Sequence, residues 1–293
     1  RESINAEVTQ LKMELDRIGE DTTFNTHNVL NGRFIQQFVQ VGSNANETVN
    51  MNIRDSRSTA LGRSALTKTA TVSTHAFSKA DGDVTINLIT IRNTTTADDT
   101  LSTSYKTGSA IAKAAAINDA SDHTKVIARV METVVDDAGN ITEGSLDEDS
   151  FLRLNNVIIT GFDIQDDDSD GELLSQINAV AARTGVVASR DEDYQLVLTA
   201  VDGRNIEVFC SDQDAKYFTG LDTKVYTAEI ELESDRSYDV GGANVNFLGF
   251  ANDQTIGVNS NNSVSTVNTL SRQNANRMIQ VLDRALEQVS EDR

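Results

Sequence analysis

Three aspartates at alternate positions lead up to a glycine in the middle of the chain: Asp166, Asp168, Asp170 and Gly171. This D-x-D-x-D-G order matches the opening of a calcium loop, because carboxylates at alternate positions can converge on one hard cation while the glycine permits a sharp turn. The glutamate that supplies two oxygen ligands at the twelfth position of such loops is replaced by Ile177. One interpretation is therefore a calcium site held by the three aspartates.

The same segment also fits a turn that binds no metal. A helix is predicted to begin near Glu172, and Ser169 or Asp170 then stands where a side chain caps the free N–H groups of a helix start. Acidic side chains are favourable at that end of a helix without any cation. The sequence leaves both interpretations open, and calcium is the one cofactor that it suggests.

Residue types that carry catalysis form no constellation in this sequence. His27, His75 and His123 are far apart, and there is no G-x-S-x-G, phosphate loop or dinucleotide fingerprint. The single cysteine, Cys210, follows an apolar run, which predicts a buried, inert thiol. We therefore expect a protein that is not an enzyme and that requires no cofactor.

The acidic composition excludes several classes of partner. Forty-five Asp and Glu residues against twenty-five Lys and Arg residues give a formal net charge of −20. Nucleic acids and anionic membrane surfaces are bound through cationic side chains, so neither is expected as a partner. No stretch approaches the ~20 apolar residues of a membrane-spanning helix, so no membrane insertion is predicted.

Both ends of the chain are predicted to be helices with an apolar seam. Near the start, apolar residues recur at alternating steps of four and three, the repeat of a coiled coil: Ile4, Val8, Leu11, Leu15 and Ile18. Near the end the same spacing recurs: Ala275, Met278, Leu282, Ala285 and Val289. Neither helix can bury its seam alone, so we expect the two to pack on each other. Both patterns run to the chain ends, which we interpret as those of a fragment.

Three segments resemble the bacterial flagellins. Ser3 to Gly32 (SINAEVTQLKMELDRIGEDTTFNTHNVLNG) is similar to the family helix E-x-x-Q-L-x-x-E-[LI]-x-R-I and its T-x-F-N-x-x-x-L-x-G turn. Phe38 to Ile53 (FVQVGSNANETVNMNI) resembles the β-hairpin that follows in the family, and Asn268 to Arg293 resembles the family's C-terminal helix.

A further stretch, Val157 to Val208, resembles the flagellin IN motif, and a second copy of it lies earlier in the chain. Five residues recur at a distance of sixty: Ile117, Asn118, Thr124, Val126 and Ala128 match Ile177, Asn178, Thr184, Val186 and Ala188. The strand Val84 to Ile91 is matched with Val157 to Ile164. Because Lys125 replaces Gly185, and glycine favours the left-handed conformation that closes a helix, we expect the first copy to end its helix differently.

The resemblance implies an elongated α+β protein. Residues 1–63 and 251–293 would form a helical, coiled-coil-like base with the β-hairpin. Residues 64–250 would form an inserted α+β outer part, with IN-like repeats at about 84–134 and 157–208.

The resemblance also implies a function. The chain would be an extracellular structural subunit of the flagellar filament that lacks the family's extreme terminal segments. It would serve motility and self-assemble through its base. A flagellar export chaperone and cap proteins would be its other binding partners. The alternative is a cell-surface binding module on the same frame, whose outer part recognises polysaccharide or a host surface.

Overall fold

A computed structural model of the protein describes residues 1–35, 37–40, 48–79, 84–192 and 194–291. In these ranges the α-helices are α1 Glu2–Asp21, α2 Ala110–Asp119, α3 Ser121–Thr124, α4 Glu172–Ala179, α5 Ala181–Thr184, α6 Gln213–Thr219 and α7 Arg272–Glu291. The strands are β1 Thr23–Phe24, β2 His27–Asn28, β3 Gln37–Gln40, β4 Thr48–Met51, β5 Ala65–Lys68, β6 Thr85–Ile86, β7 Ile89–Thr90, β8 Ile127–Val130, β9 Thr133–Val135, β10 Gly144–Leu146, β11 Leu152–Leu154, β12 Val157–Ile159, β13 Phe162–Ile164, β14 Val187–Arg190, β15 Leu196–Ala200, β16 Ile206–Cys210, β17 Lys224–Tyr226, β18 Ile230–Ser234, β19 Tyr238–Gly241 and β20 Gln254–Ile256. This mixture of helices and antiparallel sheets agrees with the predicted α+β class.

By their internal contacts the residues fall into two compact units. The first holds Arg1–Leu66, Ser234–Ser237 and Gly257–Arg293, and the second holds Thr67–Glu233 and Tyr238–Ile256. The sequence placed the corresponding boundaries at residues 63 and 251. In the first unit β3 pairs with β4, as expected for the predicted hairpin, whose connecting residues 41–47 lie outside the described residues.

The second unit contains one arrangement of elements twice. Each copy opens with a hairpin whose turn has two consecutive left-handed residues, Asn87–Leu88 between β6 and β7 and Asn155–Asn156 between β11 and β12. A longer helix, a short helix and a strand follow in each copy: α2, α3 and β8 in one, α4, α5 and β14 in the other. The duplication predicted from five matched residues is thus visible in the backbone.

The two copies are nested. In the copy made of residues 152–226, here called the second module, β14 returns directly as β15, and Ala188 pairs with Leu198. In the copy made of residues 84–130 and 230–256, the first module, the partner of β8 is β18, and Ala128 pairs with Leu232. The whole second module is therefore inserted between two neighbouring strands of the first.

The remaining strands of the two modules agree in register. The matched pairs are Leu154 with Val208 and Ile86 with Val240, then Val208 with Lys224 and Val240 with Gln254. A left-handed glycine ends the helical turn before the last strand of each module, Gly220 in one and Gly249 in the other. The first module is therefore a complete copy that is interrupted in sequence.

Two details of the predicted repeat are corrected by this arrangement. Asn87 occupies the place of Asn155, so Val84 to Ile91 corresponds to residues 152–159 and not to Val157 to Ile164. Lys125 adopts the left-handed conformation with φ 57°, as Gly185 does with φ 73°. Both copies therefore end their helix in the same way, and the expected difference was wrong. Hydrogen bonds that both copies share hold this turn despite the cost of a side chain there.

The apolar core of the second module gathers the inward faces of its strands and helices. Its fully buried members include Leu146, Leu152, Leu154, Leu173, Ile177, Leu196 and Leu198. Cys210 is buried at its margin, as predicted, and burial raises the pKa of its thiol. The thiol is therefore in its neutral, less reactive form.

Candidate functional site

The first unit has an apolar cluster to which both long helices contribute. Leu61, Val264, Val267, Val281 and Ala285 are buried in it. Three further side chains pack against it: Val8 and Leu15 of α1, and Met278 of α7. Burial of apolar surface in this cluster is thus the main attraction that holds both helices in the unit.

Polar contacts fix the position of α1 in the same unit. The Asp16 carboxylate accepts hydrogen bonds from the backbone N–H and the hydroxyl of Ser58, at 2.7 and 2.8 Å. Lys12 Nζ donates to the backbone carbonyls of Ser265 and Val267, at 2.9 and 3.0 Å. Side chains of the helix therefore satisfy backbone groups of irregular segments, as buried polar groups require.

A glycine permits the closest approach to α7. Gly62 has φ +69°, and a Cβ at this position would lie 2.7 Å from Val281 Cγ1. Its N–H donates to Gln288 Oε1 at 2.8 Å. A residue with a side chain would need both a strained backbone and a displaced helix here.

The predicted seam residues divide into two groups, apart from the half-buried Ala275. Four of them join or contact the cluster: Val8, Leu15, Met278 and Ala285. The other five are exposed, by 38 to 64% of their surface: Ile4, Leu11, Ile18, Leu282 and Val289. Val281, which is 2% exposed, is not among the predicted seam residues. Its spacing of three from Met278 and four to Ala285 is itself helical, and could have identified this face.

The acidic loop around Asp168 lies immediately before the N-terminus of helix α4. Asp168 is fully buried, and its carboxylate accepts hydrogen bonds from the N–H groups of Leu173 and Leu174, at 2.9 and 3.3 Å. Arg190 donates to the same carboxylate at 2.9 Å. The Asp170 carboxylate accepts only from the N–H of Glu172, at 3.2 Å. The main capping side chain is therefore Asp168, whereas the sequence analysis named Ser169 or Asp170.

The predicted calcium ligands are not arranged alike. Asp166 and Asp170 are exposed, while Asp168 is buried and paired with Arg190. In the described part of the chain, no three His, Cys, Asp or Glu side chains are grouped as metal ligands. Calcium binding by this loop remains a prediction.

Of the helices in the described ranges, none is long and apolar enough to cross a membrane.

One unit thus carries two long amphipathic helices, and the other carries duplicated, nested α+β modules. The family model of the flagellin hook IN motif matches residues 152–202, from β11 to the end of β15 in the second module. Together with the flagellin relatives described next, this match shows that the chain belongs to the flagellin family.

Individual flagellins show the same similarity. Flagellin A of Helicobacter pylori is 32% identical over 212 residues, which are 71% of this chain and 39% of that protein. Flagellin B of the same organism is 27% identical over 236 residues, 75% of this chain and 43% of that protein. The B-type flagellin of Pseudomonas aeruginosa is 26% identical over 320 residues, with 100% of this chain and 63% of that protein covered. The chain thus spans about two fifths of the length of the Helicobacter relatives.

Proposed function

We propose that this chain is a structural subunit of the bacterial flagellar filament, outside the cell, and that it serves motility. The flagellin relatives are the observation that carries the proposal. The proposed partners are further copies of the same protein, a flagellar export chaperone and cap proteins. The family implies these partners.

The exposed faces of the two long helices support self-assembly through the base. Large apolar side chains point to solvent on both helices: Ile4, Leu11, Met13 and Ile18 on α1, and Ile279, Leu282, Leu286 and Val289 on α7. Burying such side chains against another surface contributes roughly 1.5–3 kcal/mol for each one that becomes fully buried. These faces are therefore where we expect further helices to pack.

The net charge favours the same interpretation. At −20, isolated subunits repel each other, which opposes unspecific association. Assembly then depends on surfaces that bury enough apolar area to overcome this repulsion.

Immuno-electron microscopy of the source cells tests the proposal, with antibody raised against residues 64 to 250. We expect label along the whole length of the filaments. Label over the cell body, with bare filaments, would contradict a role in the filament.

A second candidate function is the recognition of polysaccharide at the cell surface. A groove of about 420 Å³ lies on the sheet of β6, β19 and β20, lined by Thr85, Leu88, Asp239, Val240, Gly241, Asp253, Gln254 and Thr255. Leu88 is 91% exposed and left-handed, a position where the second module has Asn156. An apolar side chain beside carboxylate, amide and hydroxyl groups suits a ligand with many hydroxyl groups.

Direct binding of neutral and anionic polysaccharides to the chain tests this candidate. The wild-type chain and the Leu88→Asn variant are compared, and each titration is made with and without a chelator. Binding that Leu88→Asn weakens supports the groove. Absence of binding to every polysaccharide removes the candidate, and loss of binding with the chelator alone indicates a bridging cation.

A further inference from the structure

Within the described part of the second unit, three buried oxygen atoms have no hydrogen-bond partner: Asp99 Oδ2, Ser104 Oγ and Asn205 Oδ1. The side chains of Asp99 and Asn205 are fully buried. Buried polar atoms in folded proteins are almost always satisfied, so these three unsatisfied oxygens require an explanation. A bound group that offers positive charge or hydrogen atoms would supply it.

Hydrogen bonds join these residues into one connected set. Asp99 Oδ1 accepts from the N–H of Ser102 at 3.0 Å. Ser102 Oγ accepts from the N–H of Asn205 at 2.9 Å, and Asn205 Nδ2 donates to the Ser104 carbonyl at 3.0 Å. The residues with unsatisfied oxygens are therefore linked, Asp99 to Asn205 through Ser102, and Asn205 directly to Ser104.

The set carries the negative charge of Asp99, which forms no salt bridge with any cation of the described residues. Arg204 is close enough to interact electrostatically with Asp99, but its guanidinium donates to Asp202 at 2.9 and 2.6 Å. Burial alone would raise the pKa of the Asp99 carboxyl. Hydrogen bonds from the Ser102 and Ser109 hydroxyls and from backbone N–H groups lower this pKa by more than burial raises it. Since the pKa is lowered overall, Asp99 is a buried carboxylate. Together Asp99, Asp202 and Arg204 leave one unit of negative charge.

The segment that supplies Asp99 and Ser104 has no counterpart in the second module. Fourteen residues separate Thr94 from Ser109, whereas six separate Phe162 from Ser169 at the matching positions. The additional residues are anchored at their start, where Arg92 pairs with Asp98 at 2.8 Å and with Asp119 of α2 at 2.5 Å. This addition brings the first module into contact with Asn205 of the second.

We propose that Asp99, Ser104 and Asn205 bind a hard, oxygen-seeking cation of which Ca²⁺ is the representative. A carboxylate, an amide carbonyl and a hydroxyl are all oxygen donors of the kind that such ions take. The ion links the two modules, since Asp99 and Ser104 belong to the added segment and Asn205 to the turn between β15 and β16. With a single carboxylate the site is weak, with a dissociation constant on the order of 10⁻⁴–10⁻³ M.

Luminescence of Tb³⁺, a Ca²⁺ substitute that is excited through nearby tyrosine, tests the proposal. The chain has no tryptophan, and the backbone carbonyl of Tyr105 lies 3.5 Å from Asn205 Nδ2. We expect Tb³⁺ binding that Ca²⁺ displaces and that Asp99→Asn weakens at least about tenfold, the loss expected when the charged ligand is removed. The matched control, Asp122→Asn, removes one exposed carboxylate of helix α3 that belongs to neither acidic site and should leave this binding unchanged. Equal titrations of wild type and Asp99→Asn overturn the proposal, and so does loss of binding in the control.

Circular dichroism shows whether the Asp99→Asn chain folds. If it does not fold, a second measurement on the wild-type chain tests the proposal. Crystals of the wild-type chain soaked in Tb³⁺ should show an anomalous peak in contact with Asp99, Ser104 and Asn205. An ordered water at that position, with no anomalous peak, shows that the oxygens are satisfied by water and overturns the cation site.

Discussion

Asn178 and Ala188 exchange two hydrogen bonds between helix α4 and strand β14. The Asn178 Nδ2 donates to the Ala188 carbonyl at 3.0 Å, and Oδ1 accepts from the Ala188 N–H at 2.9 Å. Asn118 and Ala128 repeat the pair in the first module, at 2.9 and 2.8 Å. The amide thus satisfies both backbone groups of a residue in an edge strand.

We expect Asn178→Ala to lower the free energy of unfolding by about 2 kcal/mol, because two backbone groups lose their partner. Urea denaturation measures the change. Ser175→Ala, on the exposed side of the same helix, is the control and should change stability by less than about 0.5 kcal/mol. Equal effects of the two variants would contradict the structural role of the amide.

The left-handed helix ends differ in how they tolerate a side chain. Gly185→Ala should lower the free energy of unfolding by about 1–2 kcal/mol. A Cβ there would also lie 2.3 Å from Arg204 Cζ. Lys125→Ala is the control, because that position already carries a Cβ at φ 57°, and it should be nearly neutral. Thermal unfolding of both variants measures the difference. An unchanged stability of Gly185→Ala would contradict this prediction and show that the turn can rearrange.

Lys113 is fully buried, and among the described residues no carboxylate forms a salt bridge with it. Its Nζ donates to the carbonyls of Ser73 and Phe247, at 2.5 and 2.7 Å, and lies 5.5 Å from the centre of the Phe77 ring. Burial lowers its pKa to about 7. The matching position of the second module, sixty residues later, is the buried Leu173.

We expect Lys113→Leu to raise the free energy of unfolding at pH 7 by about 1–3 kcal/mol, as replacement of a buried charge often does. The folded pKa lies below the unfolded value, so the unfolded chain binds more protons between about pH 7 and the ordinary lysine pKa of 10.5. Wild-type stability should therefore rise with pH across this window, and the gain from Lys113→Leu should shrink. Denaturant unfolding at several pH values tests this, and a gain that does not depend on pH would contradict it.

Substitutions of Leu15 and Leu11 should act on two different properties, the first on folding stability and the second on filament assembly. Leu15 packs against the buried cluster, whereas Leu11 is 64% exposed. Leu15→Ala should lower the free energy of unfolding by about 2 kcal/mol. Leu11→Ala should change it by less than about 0.5 kcal/mol, yet shorten filaments in the source cells, as seen by electron microscopy. Filaments of normal length with Leu11→Ala would contradict packing through this face.

Local features of the sequence predicted part of the structure. Alternating steps of four and three residues predicted α1 and α7, because side chains at those steps share one helix face. They did not show which apolar residues are buried, since each helix carries more apolar surface than the cluster around Val281 covers. Burial of Leu15 but not Leu11 depends on residues near Leu61 and Val264, which are distant in sequence.

The candidate sites show the same division. The alternating aspartates were visible in the sequence, but the pairing of Asp168 with Arg190 was not, because the two residues meet only when β14 folds beside the helix start. Asp99 and Asn205 carry no motif at all. Their relation depends on a contact between segments about a hundred residues apart.

The sequence by itself determined the kind of protein: the end helices, the sixty-residue repeat and the resemblance to flagellins all follow from residue types at short, regular distances. Only the tertiary structure decided how the repeats are built. The partner of Ala128 is Leu232, beyond the whole second module. Backbone hydrogen bonds select this partner, and because every residue type offers the same backbone groups, such pairing leaves no pattern in the sequence.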